Sequence, residues 1–309
     1  MTTLKPPFET LVQPFGPDSI ARAADLIAEG ECVAVPTETV YGLAADATNG
    51  KAVAGIYAAK GRPSFNPLIV HVLDLASAER IAVFDDVARA LAKQYWPGPL
   101  TLVLPLRPHS GIASLVTAGL PTIALRVPAH PAMQALLSAT DKPLAAPSAN
   151  ASGRLSPTRA VHVLNSLEGH VPLIIDAGST GIGLESTIIA VDAGGVLRLL
   201  RAGPIDLGLS LAASEAIEAP GQLASHYAPA KPLRLNAIAA EPDEWLIGFG
   251  DVRGDDSLSV SGDLTKAAAR LFHALHEADA SDQPRIAIAP IPRAGLGIAI
   301  NDRLKRAAT

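Results

Sequence analysis

The chain has 309 residues, 49% of them hydrophobic, with 25 lysines and arginines against 30 acidic residues and a net charge of −5. At ~150 residues per domain, this length gives about two domains with sizeable cores, and the single cysteine, Cys32, excludes intrachain disulfides and cysteine-built zinc sites. The acidic balance argues against a broad nucleic-acid-binding surface; with no apolar run of ~18 residues and no signal-peptide pattern, a soluble, cytoplasmic protein is expected.

Short β-type runs alternate with helical ones through the first two-thirds. Residues 17–30 read as a helix, with Pro17 in the first turn, Ile20, Ala23, Ala24, Ile27 and Ala28 in one stripe, and Gly30 as the stop. A buried strand is predicted over 32–36 and a helix over 51–60, ended by Gly61. Strands follow at 68–73, 100–106, 122–127, 172–176, 186–191 and 196–201, with helices at 85–95, 129–139 and 157–167. Residues 209–232 pass from helix-prone to a Pro/Gly/Ala/Ser-rich linker. Beyond it, 244–250 and 285–289 read as strands, 263–279 as an amphipathic helix capped by Asp263, and 294–307 as a last helix. The pattern implies an α/β sheet domain with sites on loops at strand ends, then a smaller α/β domain.

No G-x-x-x-x-G-K-[ST] or G-x-S-x-G is present, and GIGLES (181–186) and GLGIAI (295–300) lack the last glycine of a dinucleotide fingerprint. The histidines do not fall at metal-ligand spacing; His273 and His276, three apart, read as the polar edge of their helix. The informative segments bring hydroxyls and cations together. PTETVYGL (36–43) sets Thr37 and Thr39 at the C-terminal end of the first buried strand, where open α/β sheets bind ligands. KGRPSFNPLIVHV (60–72) places Lys60 and Arg62 after a helix, then Asn66, then His71 within a strand. In TIALRVP (122–128), Thr122, Ala124 and Arg126 share one strand face. APSANASGRLSPT (146–158) suits close backbone and hydroxyl contacts to phosphate, and Arg201 ends another strand. Each also has a plainer reading. Lys60 and Arg62 suit a solvated helix end, His71 a core position, Ser148 a turn, Ser156 before Pro157 a helix start, and Arg126 and Arg201 a strand edge.

Taken together, PTETVYGL, KGRP with the following N-PL-V-H, WPGPLT (96–101), TIALRVP, APSAN, STI and LRAGP (200–204) occur in the order found in the YrdC-like family, which the chain resembles. SHYAP (225–229) and the ending IAPIPRAGLGIAINDRLKRA (288–307) extend the resemblance over 13–309, to the long, two-domain threonylcarbamoyl-AMP synthases. The resemblance implies an α/β fold: a YrdC-like twisted mixed-sheet domain over 13–208, a linker over 209–232 that acts as a lid on the active site, and a smaller Rossmann-like α/β domain over 233–309. It implies a nucleotidyltransferase that joins L-threonine, bicarbonate and ATP into threonylcarbamoyl-AMP and releases pyrophosphate. The product is the donor for threonylcarbamoyl-adenosine beside the tRNA anticodon.

Position by position, the resemblance puts L-threonine on Thr39, His71, Arg126, Ala146 and Ser186. It puts ATP on Arg62, Asn66, Thr122, Ser148, Asn150, Ser156, Arg201 and Tyr227. Lys60 and Arg62 are the expected catalytic cations, and Mg2+ is expected on the ATP phosphates rather than on a protein-built site. The downstream tRNA threonylcarbamoyltransferase machinery is the expected partner, with no membrane and no stable nucleic-acid binding. Two other readings are a carbamoyltransferase that handles carbamoyl-adenylate and a non-catalytic RNA-binding module. The length and the one cysteine weigh against the first, and the charge of −5 with 4% aromatic residues against the second.

Overall fold

A computed structural model of the chain describes residues 8–192, 194–212, 218–220 and 226–309. Its first elements, in chain order, are β1 (Leu11–Pro14), α1 (Pro17–Ala28), β2 (Val33–Pro36), β3 (Tyr41–Asp46), α2 (Gly50–Lys60), β4 (Ile69–His71), α3 (Leu75–Ile81), α4 (Asp86–Tyr95), β5 (Leu100–Pro105) and α5 (Ser114–Thr117). Next come β6 (Thr122–Arg126), α6 (Pro131–Thr140), β7 (Leu144–Ala145), α7 (Ala160–Leu167), β8 (Leu173–Asp176), β9 (Thr187–Val191) and β10 (Leu197–Arg201). The C-terminal part contains β11 (Leu233–Arg234), β12 (Glu244–Gly248), β13 (Asp256–Ser257), α8 (Leu264–Ala280), β14 (Arg285–Ile288) and α9 (Leu296–Ala307).

The first ten strands form one mixed sheet in the order β1-β8-β2-β3-β7-β4-β6-β5-β9-β10. The last four form an all-parallel sheet, β11-β14-β12-β13, with α8 supplying a crossover of the kind parallel strands need. The local reasons for the helices are legible. Asn49 accepts the N–H groups of Lys51 and Ala52 to start α2, and Gly61 ends it at φ 57. Pro17 opens α1, whose Ile20, Ala23 and Ile27 are buried.

Two differences from the sequence reading shape the site. YGLAAD, for which no element is predicted, is strand β3, paired antiparallel with β2 after a turn at 37–40. Its small residues are buried, and burial selects a strand that β-propensity does not favour. At Gly42 an added Cβ would lie 3.3 Å from the Ala146 Cβ, so the 146–150 segment packs directly on this strand. The helix expected from residue 157 begins at Ala160, and Ser156 does not cap it.

Apolar packing covers both faces of the large sheet. One cluster joins α1 and α6 to β2, β3 and β8. A larger one runs continuously from Leu43, Ile56 and Leu125 to Phe272, Ile288 and Leu304 in the C-terminal part. Among the described residues, no helix is long and apolar enough to cross a membrane.

Candidate active site

The turn between β2 and β3 is tied by Thr37, whose Oγ1 donates to the Val40 carbonyl (2.6 Å) and accepts the N–H groups of Thr39 and Val40. This presents Thr39 and Glu38 to Arg126 at the end of β6. The Arg126 side chain is buried. Its Nε donates to the Gly98 carbonyl (3.1 Å), Nη1 to Thr39 Oγ1 (3.0 Å) and Nη2 to Glu38 Oε1 (2.5 Å). A guanidinium has five N–H donors, so these contacts leave two for a carboxylate. His71 is the register partner of Arg126 on the neighbouring strand β4. Burial, then Arg126, pushes its pKa down to about 3, so the imidazole is neutral, and its Nδ1 has no hydrogen-bond partner.

Two more buried arginines reach the same cleft. Arg62 donates to the carbonyls of Asn66 (3.2 Å) and Pro67 (2.9 Å), and burial pushes its pKa down to about 10, which leaves it charged at neutral pH. Arg201, at the end of β10, donates to the Ser186 carbonyl (3.0 Å), to Ser186 Oγ (3.1 Å) and to the Pro220 carbonyl (3.4 Å). Ser186 Oγ also lies 2.7 Å from Thr101 Oγ1. Tyr227 closes the cleft from the linker side, 1% exposed, at a left-handed φ of 65° and with its Oη unpartnered. Buried polar atoms are nearly always satisfied, so unpartnered atoms on His71 and Tyr227, both facing the cleft, mark a polar ligand site.

Two family models cover this chain: one described as "Telomere recombination" matches residues 25–203, and one described as "Threonylcarbamoyl-AMP synthase, C-terminal domain" matches 189–309. A threonylcarbamoyl-AMP synthase of Bacillus subtilis is 41% identical, over 94% of this chain and 92% of its own length. The chain belongs to the threonylcarbamoyl-AMP synthase family, in its long two-domain form. A threonylcarbamoyl-AMP synthase of Pyrococcus abyssi is 37% identical over 93% of both chains. The crystal structure of P. abyssi Sua5 complexed with L-threonine superposes with a TM-score of 0.87, at 34% identity and 97% coverage of each chain.

Within this synthase fold, the cleft wall brings together Thr39, Arg62, His71, Arg126, Ala146, Ser148, Ser186, Arg201 and Tyr227. Their burial removes the solvated readings of Arg62, Arg126 and Arg201. Five expected site residues are not on that wall. The buried Lys60 ammonium donates to the Ser148 and Asn150 carbonyls and to Asn150 Oδ1 (3.4 Å), and burial with nearby Arg62 pushes its pKa well down. These contacts tie Lys60 to the 148–150 loop. The Asn150 Nδ2 donates to the Ala151 (3.0 Å) and Arg154 (2.8 Å) carbonyls within the same loop. Ser156 Oγ donates to Glu185 Oε1. Asn66 is buried, its carbonyl accepting from Arg62 and both its side-chain amide atoms unpartnered, and Thr122 opens β6 at the far end from Arg126.

Sequence reasoning passed over Glu38, Glu185, His226 and Arg303. Burial favours the neutral Glu185 carboxyl, but Arg303, Arg201 and the Ser156 hydrogen bond outweigh it and hold the pKa below the usual range. The available signal was chemical: strand-end carboxylates beside several buried cations need to be accounted for as partners.

Proposed function

We infer that the chain makes threonylcarbamoyl-AMP from L-threonine, bicarbonate and ATP, the first step of threonylcarbamoyl-adenosine formation beside the tRNA anticodon. The supporting observation is the convergence of Arg62, Arg126 and Arg201 with an unpartnered His71 Nδ1 in one cleft. The threonine amine condenses with bicarbonate to a carbamate and water; a carbamate oxygen then bonds to the α-phosphorus as the bond to pyrophosphate breaks. Two anions must meet, so fixed cations matter more than a nucleophilic side chain.

Arg126 takes the threonine carboxylate with its two remaining N–H groups, and Thr39 and Ser186 face the amino-acid side chain. Neutral His71 accepts a hydrogen bond from the amine or hydroxyl without adding charge beside Arg126. Arg62 and Arg201 lie on the phosphates, with Ser148 and Tyr227 on the nucleotide. Lys60 acts one layer back by holding the carbonyls of Ser148 and Asn150. The carboxylate on the cleft wall, Glu185, is already held by Ser156 and Arg303; Mg2+ would be held through the ATP phosphates and would offset their charge.

In this reading 13–208 is the catalytic unit, 209–232 the linker that covers it, and 233–309 the C-terminal unit. Of the linker, residues 213–217 and 221–225 lie outside the described residues. Pro220, His226 and Tyr227 line the cleft on the linker side, and in this reading that segment acts as a lid over the bound substrates. The test is pyrophosphate release with each substrate left out in turn. Release that requires ATP, bicarbonate and threonine together supports the reading; release indifferent to threonine overturns it.

A further inference from the structure

Among the contacts of the C-terminal part with the cleft wall, one is made by a buried charged side chain. Arg303, on α9, is 1% exposed although it carries a full charge. Its Nε donates to Glu185 Oε2 (2.8 Å), its Nη1 to Asp302 Oδ2 (2.9 Å), and its guanidinium lies 5.2 Å from the centroid of the Tyr227 ring. The other Glu185 oxygen accepts from Ser156 Oγ. One turn further along α9, the Arg306 carbonyl accepts the N–H of His226 (3.2 Å). A single short stretch of α9 therefore holds two parts of the cleft, Glu185 and residues 226–227, that are far apart in sequence.

A buried ion pair is a poor source of stability, because desolvating both partners offsets most of their attraction. Its use here is geometric. Glu185 is fixed between a hydroxyl and a guanidinium, and the Tyr227 ring is held between Arg303 and Phe272, whose ring centroid is 5.7 Å away. Lysine does not reproduce this, since a point charge has neither the planar fork nor a flat face to lay against the ring. Arg303 itself is not on the cleft wall; it touches Glu185 and Tyr227, which are.

We propose that Arg303 is a positioning residue for the nucleotide half of the cleft, through which the C-terminal unit sets ATP affinity. The proposal rests on the reading above that Arg201 and Tyr227 belong to the ATP side; on the threonine side, Arg126 is held by Gly98, Thr39 and Glu38, and Ser186 Oγ by Thr101 and Arg201, rather than by Arg303.

The experiment compares wild type with Arg303→Lys by direct titration, using a non-hydrolysable ATP analogue and L-threonine separately, alongside melting temperature. The expected result is ATP-analogue binding weaker by about tenfold or more, from misplacement of groups on the cleft wall, with threonine affinity within about twofold. Unchanged ATP-analogue affinity in the folded variant, or an equal loss for both ligands, overturns the proposal. Should Arg303→Lys not fold, the pair Glu185→Gln with Arg303→Met removes both charges together and leaves neither uncompensated; Glu185→Gln alone is its reference. Weaker ATP-analogue binding in the pair than in the reference supports the proposal, and equal binding overturns it. These titrations do not depend on turnover, so a failure of the synthase reading appears in pyrophosphate release and a failure of the proposal in the ATP titration.

Discussion

At the scale of single residues, the site is a set of arginines whose roles are separated by what already engages them. Arg126 is engaged by Gly98, Thr39 and Glu38, and in the proposed reading its two remaining donors are the fork that takes a carboxylate. Arg126→Lys keeps the charge and loses the fork; the threonine KM should rise about tenfold or more while the ATP KM stays within about twofold. A rise confined to the ATP KM would assign Arg126 to the nucleotide instead. Lys60 tests the opposite case. Because its ammonium serves two carbonyls and an amide oxygen in the 148–150 loop, Lys60→Ala should lower the melting temperature together with activity, at about 1–3 kcal/mol for a carbonyl left unsatisfied. Lost activity with an unmoved melting temperature would return Lys60 to the phosphates. The cleft arginines were legible through the family resemblance, since each alone also suits a strand edge or a helix end. Their partners were not, since Glu38 meets Arg126 across 88 positions and Glu185 meets Arg303 across 118.

At the scale of elements, α7 and α8 meet through three imidazoles. The His162 ring stacks on His276 at 3.9 Å and on His273 at 5.5 Å, and its Nδ1 accepts the Thr158 N–H. Burial first, then the neighbouring histidines and Arg159, pushes the His162 pKa down to about 2, while burial takes His276 down to about 4. Unfolded histidine takes up a proton near pH 6.5, and these folded side chains do not until far lower pH. Their contribution to stability is therefore intact above about pH 6.5 and is lost progressively as pH falls toward their folded values, by up to about 2 kcal/mol per group at pH 5. The melting temperature should fall between pH 7 and pH 5, and His162→Gln should make that fall shallower; an identical fall in the variant would place the acid sensitivity elsewhere, for example at buried His71 or His226. No periodicity announces this cluster, because His162 and His273 are 111 positions apart. Capped helices such as α1 and α2 were legible from Pro17, Gly30 and Gly61. Strand β3 was not, because YGLAAD is selected by burial against β2 and β7 rather than by its own propensity. The displaced start of α7 has a related cause: the Ser156 hydroxyl serves Glu185 in place of a helix cap.

At the scale of the whole molecule, the two units share, among the described residues, one continuous apolar cluster and one buried ion pair, Arg303 with Glu185. The large sheet also has apolar clusters of its own around Ile27 and Met133 and around Val103 and Ile188. A chain ending at Pro204 is therefore expected to fold, with a lower melting temperature and weaker ATP binding than the full chain; full ATP affinity in the shortened chain would show that the cover and α9 contribute nothing to the nucleotide site. The division into a large and a small α/β unit was legible from the change of composition near residue 209, but the dependence of one unit's cleft on the other's last helix was not, since it rests on contacts that no local pattern encodes. The account as a whole turns on whether the cleft joins threonine, bicarbonate and ATP. The most direct measurement is incubation with ATP, carbon-labelled bicarbonate and L-threonine, followed by separation of the nucleotides and assay of pyrophosphate. The account predicts label in an adenylate that also contains threonine, formed in step with pyrophosphate; pyrophosphate without a labelled adenylate, or a labelled adenylate formed without threonine, would contradict it.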